Sequence, residues 1–204
     1  PLRGCTTPTP NTPDFIRGYS YSIPTGSPTD QFAAKTAASL PPDFEHPAVK
    51  GPVIADYGAV YDIPDPDFPA DPRQMYLVVF DIAESPVAPS EVNPLINTLA
   101  RFLNMHARAG VPPEHMRVAA VLHGGAAKDA LNDAAYRRRY NGDNPNAPLL
   151  HRLVEAGVDV YICGQSARGR GFARDELAEP IQVALSAMTV LVTLQGEGYR
   201  MIRF

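Results

Sequence analysis

The apolar positions change rhythm near residue 72. Beyond it, continuous apolar runs of strand length alternate with stretches of helical period. Residues 75–80 (MYLVVF) form the first run, which predicts a strand covered on both faces. Ser90 then stands where a helix cap is expected, and Val92, Leu95, Ile96, Leu99 and Leu103 follow a 3.6-residue period through about Ala109. Gly110 and the Pro112-Pro113 pair stop that helix. Residues 117–122 (RVAAVL) predict a second buried strand, and residues 128–140 a helix ending in Arg137-Arg138-Arg139. After the turn residues Asn141-Gly142 and Asn144-Pro145, Asn146 is placed to cap a short helix. That helix has Leu149, Leu150, Leu153 and Val154 on one face and Gly157 as terminator. Residues 158–163 (VDVYIC), 181–185 and 199–204 (YRMIRF) predict three more strands. Residues 186–197 predict a helix between the last two. Its β-branched stretch from Thr189 to Thr193 favours strand by propensity, while Gly196 and Gly198 mark a helix stop.

Strands alternating with helices at this spacing give a mostly parallel, doubly covered sheet of five strands in an α/β domain spanning residues 73–204. The strand C-termini then share one edge, where ligands and chemistry collect in such sheets.

Residues 1–72 hold fourteen of the 22 prolines, so they are expected to form an extended Pro-rich arm rather than more of the sheet. Within it, residues 52–63 (PVIADYGAVYDI) predict one or two short strands around Gly58. Phe15, Tyr19, Tyr21, Phe32 and Phe44 suggest that part of the arm packs on something. The sequence opens at Pro1, and Leu2-Arg3-Gly4-Cys5 partly resembles the end of a bacterial lipoprotein signal. An exported, periplasmic protein is therefore expected, with lipid anchoring through Cys5 as a variant and a cytoplasmic location as the alternative.

Charge and composition narrow the function classes. A net charge of −4 argues against a nucleic-acid-binding surface. No apolar run is long enough to span a bilayer. Two cysteines, Cys5 and Cys163, make neither a zinc cluster nor a disulfide framework. His46, His115 and His151 share no metal-ligand spacing, and His106 lies on the apolar side of its helix, as a core histidine would. No Walker loop, dinucleotide fingerprint or nucleophile elbow is present, so no metal or cofactor is expected.

The candidate chemistry sits at two strand ends. Cys163 closes the third strand and Gly164-Gln165-Ser166 leads toward a helical turn, whose amides and dipole favour a thiolate. Arg168, Arg170 and Arg174 follow closely and can add positive charge, while Gly164 leaves room beside the sulfur for a visiting thiol. The competing reading makes Cys163 a small core residue and the arginines a solvated loop. His123, before Gly124-Gly125, occupies the matching place after the second strand. It reads either as a proton-transfer partner for Cys163 or as a histidine bonding a nearby carbonyl in a tight turn. The three arginines at 137–139 read as a solvated face.

The block NPNAPLLHRLVEAGVDVYICGQSARGRGF, followed by IQVALSAMTVLVTLQGEGYRMIRF, resembles DsrE/DsrF-like proteins. The shared features are an Asn-rich turn, a helix ending in Glu-Ala-Gly-Val and a strand ending in Cys. An Arg-Gly loop, a Ser-Ala-Met-Thr helix and a Gly-Tyr strand complete them. The resemblance covers about residues 73–204 and is dense from Asn144 onward. It implies a flavodoxin-like three-layer α/β/α fold and assembly into homo-oligomers, trimers or hexamers. It also implies a cysteine at the position of Cys163 that carries a sulfane sulfur as a persulfide, passed to partner proteins with reactive cysteines. Residues 1–72 have no counterpart in the short relay subunits and look like the extension of an exported branch.

Three functional expectations follow. In the first, the chain is a sulfur carrier or sulfurtransferase-like protein: Cys163 is the nucleophile and His123 assists proton transfer. Gly164, Gln165, Ser166, Arg168 and Arg170 then stabilise negative charge on the sulfur. In the second, it is a non-catalytic oligomeric module binding a small ligand or metal near His123 and Cys163. In the third, the arm wraps a neighbouring subunit and the oligomer is a scaffold. Whether the chain turns over as an enzyme stays open at this level.

Overall fold

The computed structural model describes residues 47–179 and 181–204. Cys5, Phe15, Tyr19, Tyr21, Phe32, Phe44 and His46 lie outside them, as does the lipid-anchor expectation attached to Cys5.

Five strands form one sheet: β1 (Tyr76–Ile82), β2 (Met116–Leu122), β3 (Asp159–Cys163), β4 (Gln182–Ala184) and β5 (Arg200–Ile202). Their spatial order is β4-β3-β2-β1-β5, and every neighbouring pair is parallel. The expected mostly parallel sheet is thus wholly parallel. β1 is followed by α1 (Pro94–Arg108), and β2 by a 3-10 stretch (Gly124–Ala130), α2 (Asp133–Tyr140) and α3 (Ala147–Glu155). β3 runs directly into the short α4 (Gly164–Gly169), and α5 (Ala187–Gly196) joins β4 to β5.

The side chains of each strand alternate between two unequal layers. On one face Val78, Phe80, Ile82, Val118, Ala120, Leu122, Val160 and Ile162 pack beneath α1, α2 and α3, which contribute Ile96, Leu99, Phe102, Tyr136, Leu149 and Leu153. On the other face, among the described residues, Val79, Ala119, Val121 and Cys163 pack with Ala187 and Val190 of α5. The β-branched run of α5 is helical, as its glycine stop indicates. Ser186 caps it by accepting the Thr189 N–H at 3.0 Å.

Several local expectations are corrected. The cap of α1 is Asn93, not Ser90. Pro94 is fixed in a helical φ at the first position, and Asn93 Oδ1 accepts the Leu95 N–H at 2.9 Å. The helix expected over 128–140 is two pieces, because Asn132 starts α2 by accepting the Ala135 N–H at 2.9 Å. Asn146 precedes α3 but does not cap it with its side chain. Its Oδ1 accepts the Asn93 N–H at 2.7 Å and so joins the starts of α1 and α3. Arg138 and Arg139 are not merely solvated, since both bond Glu176.

Residues 52–63 form no strand. Among the described residues the segment's only β pairing is an isolated bridge between Val49 and Val60. Its backbone is satisfied instead by the fully buried Asn104 of α1. Asn104 Oδ1 accepts the Val53 and Ile54 N–H groups at 3.1 and 2.8 Å, and its Nδ2 donates to the carbonyls of Ile54, Tyr57 and Gly58 at 3.0 Å. Gly58 rests directly on α1: a Cβ there would lie 2.3 Å from the Ala100 carbonyl carbon.

Candidate functional site

Four chemically distinct residues gather at the strand ends, where His123 reaches back to Asp81, the β1 residue paired with Val121, two residues before His123. Cys163 ends β3 with its side chain on the α5 face. β2 pairs with β3 through Leu122 and Ile162, so the next residue of β2's path, His123, comes beside Cys163. His123 keeps an extended backbone (φ −147°, ψ −176°) and continues the face of Val121. Asp81 follows Val79 on β1 on that same face, and Arg203 comes one residue after the Phe80–Ile202 pair of β1 and β5. Read across the strand ends, the row is Arg203, Asp81, His123, Cys163.

Cys163 is 5% exposed and forms no disulfide among the described residues. Burial pushes its pKa up, because a thiolate loses hydration there. Hydrogen bonds from the Ser166 hydroxyl and from the backbone amides of Ser166, Ala187 and Gln165 outweigh that effect and bring it below the ordinary thiol value. Two of these amides belong to α4 and one to α5, so the sulfur lies where two helix starts converge. The Ser166 Oγ also accepts the Gly124 N–H at 3.1 Å, which fastens the turn after β2 to the helix after β3.

The His123 ring bonds neither Cys163 nor a carbonyl among the described residues. Its Nε2 lies 2.6 Å from Asp81 Oδ1, and Arg203 approaches the other carboxylate oxygen at 3.7 Å. The Asp81 side chain is 6% exposed and that of His123 26%.

The other expected site residues divide. Gln165 and Ser166 reach the sulfur through backbone and hydroxyl; the Gln165 side chain instead donates to the Leu185 carbonyl at 3.3 Å. Gly164 does not hold open an approach to the sulfur. A Cβ there would lie 2.6 Å from the Ala184 carbonyl oxygen, so its bareness lets α4 start against β4. Arg168 and Arg170 are exposed, and their side chains make no hydrogen bond or ion pair among the described residues. The thiol is lowered by amides and a hydroxyl, with no arginine contributing. Arg168 lines a separate groove of about 510 Å³ with Phe172, Arg174, Leu177 and Val183. Sequence reasoning missed Asp81, Arg203 and the Ala187 amide. Only Asp81 left a signal, as the one charged residue of an otherwise apolar strand.

The remaining histidines stay apart from the row. His106 is a half-buried helix residue stacked on Phe102 and Tyr76, with Nδ1 2.9 Å from the Phe102 carbonyl. Burial pushes its pKa down. His115 Nδ1 lies 2.8 Å from the Pro72 carbonyl, and His151 pairs with Glu155. Among the described residues no group of three or more His, Cys, Asp or Glu side chains is placed to hold a metal ion, and no helix is long and apolar enough to cross a membrane.

Comparison with known proteins identifies the family. The family model described as "DsrE/DsrF-like family" matches residues 77–204. Among solved structures, the protein of unknown function MTH1491 from Methanobacterium thermoautotrophicum is 24% identical with a TM-score of 0.48. That match covers 63% of this chain and 99% of MTH1491. The ychN protein from E. coli is 18% identical with a TM-score of 0.47, covering 64% of this chain and 100% of its own. No curated protein gives a significant match.

Proposed function

The chain belongs to the DsrE/DsrF-like family, and on that footing we propose that it is a sulfur carrier that holds a sulfane sulfur on Cys163 and passes it to an acceptor thiol. The observation that carries this reading is the polar setting of one sulfur, where the Ser166 hydroxyl and the amides of Gln165, Ser166 and Ala187 hold the thiol below its ordinary pKa. A core cysteine needs no such donors. A sulfur that must attack a donor, and later leave from a persulfide, needs its anionic form stabilised at both moments. The 5% exposure shields the loaded sulfur from bulk solvent while leaving it at the sheet edge. His123, beside it, is the group for proton transfer.

Assembly and location extend the same reading. A helix that is apolar on all sides is normally buried on all sides, yet Met188 and Val192 of α5 are 73% and 71% exposed, next to Leu185 at 72%. That face supports a homo-oligomer, trimeric or hexameric as the family resemblance implies. The Pro-rich first 72 residues support an exported carrier.

The test is intact mass and peptide mapping after exposure to a persulfide donor. Cys163 gains the mass of one sulfur atom, and Cys163→Ser abolishes the gain. A Cys163 that stays unmodified while Cys5 reacts would end the proposal.

A further inference from the structure

The pairing of His123 with Asp81 assigns a direction to the proton transfer. Asp81 Oδ1 lies 2.6 Å from Nε2, and a carboxylate only accepts, so Nε2 carries the ring proton. The Nδ1 of the neutral ring is then an unprotonated acceptor, with no hydrogen-bond partner among the described residues. The side chain is 26% exposed, so an incoming molecule can reach it, while its Asp81 partner is nearly covered, with the largely exposed Arg203 3.7 Å from its other oxygen.

We propose that the Asp81–His123 pair is the base that deprotonates the acceptor thiol, with Asp81 as the positioning residue. This rests on the sulfur-carrier reading and goes beyond it by naming the base, its orienting partner and the acceptor as a protonated thiol. The acceptor RSH gives its proton to His123 Nδ1, and the imidazolium is held by the Asp81 carboxylate. The RS⁻ sulfur attacks the terminal sulfur of the Cys163 persulfide. An S–S bond forms to the acceptor as the Cys163 S–S bond breaks, giving RSSH. The bonding pair leaves on the Cys163 sulfur, where the Ser166 hydroxyl and the three amides receive it. The proton on His123 then returns to that thiolate or to water. No oxidant or reductant is consumed. The charged and titratable groups facing His123 are Asp81 from β1, Arg203 after β5 and Cys163 from β3.

The experiment compares two acceptors on full-length protein in a Cys5→Ser background, loaded on Cys163 with a persulfide donor. N-acetylcysteine must lose a proton to attack at about pH 7, below a free thiol's pKa of ~8.5. Sulfite attacks as an anion and yields thiosulfate without a proton to remove. The readout is the ratio of the thiol rate to the sulfite rate, which general disturbance of the site lowers in both terms alike. Asp81→Asn and His123→Gln each lower this ratio by at least roughly tenfold. The double variant lowers it no further than His123→Gln alone, because Asp81 acts through His123. A ratio within about twofold of wild type in either single variant overturns the inference, and successful loading then leaves the carrier reading standing. A wild-type protein that never loads Cys163 removes both.

Discussion

Ser166 Oγ accepts the Gly124 N–H at 3.1 Å while its own hydroxyl bonds the sulfur of Cys163. One side chain therefore couples the turn carrying His123 to the thiol it faces. The Gly124 amide orients the Ser166 hydroxyl so that its proton is left for the sulfur.

Removing that hydroxyl is expected to make the thiol a weaker acid. A hydrogen bond to a charged group contributes about 1.5 kcal/mol or more, so Ser166→Ala lowers the thiolate fraction near neutral pH roughly tenfold. Iodoacetamide alkylation of Cys163, followed against pH in a Cys5→Ser background, checks this. In the parent protein the rate rises with a midpoint below that of a free thiol, and in Ser166→Ala the midpoint moves up. An unchanged profile would show that the hydroxyl does not act on the sulfur.

Gly164→Ala is expected to cost about 2 kcal/mol in urea unfolding. The new methyl meets a backbone oxygen of β4 rather than a yielding side chain. Wild-type stability in this variant would mean that β4 shifts freely at that point.

Glu176 gives a pH-dependent contribution to stability. Arg139, the Ala173 amide and Arg138 hold its carboxylate, pushing its pKa down to about 2. The folded value lies below the unfolded one, so the contribution is fully present above about pH 4.5 and disappears as pH falls toward about 2. Arg138 is largely exposed, so solvent screening reduces the worth of its share. Glu176→Gln is expected to cost about 1 kcal/mol at neutral pH, a cost that fades as pH falls through about 2. Thermal melts of both proteins across that range test the convergence.

Charge on the bare face of α5 should disrupt self-association. In sedimentation velocity at micromolar concentration, Met188→Asp combined with Val192→Asp is expected to reduce an oligomer to a single chain. Neither side chain is buried within the chain, so folding should persist. A wild-type protein that sediments as one chain removes this reading of the helix.

The fold was legible where burial alone writes the sequence. β1, β2 and β3 are apolar runs because both their faces are covered. The strand ends followed, and with them the neighbourhood of Cys163 and His123. Misread features depended on partners distant in sequence. Asn104 serves backbone groups some 50 residues away, so residues 52–63 looked like strand when their hydrogen bonds are met by a side chain. Arg138 and Arg139 meet Glu176 across 38 and 37 residues. Asn146 looked like a cap because local spacing cannot reveal that the Asn93 amide claims its oxygen. At the site, the Ala187 amide has no residue signature at all, and Asp81 acquires its meaning only from His123, 42 residues on.

The two sides of the sheet are roofed unequally, and this ranks how readily each is uncovered. Three helices and most of the large side chains weigh on one side, whereas ten residues of α5, with Ala187 and Val190 as the anchoring contacts, shelter the sulfur. Local opening follows the thinner layer first. Among the described residues, a visitor to the thiol meets one short cover, while the larger apolar layer lies on the far side of the sheet.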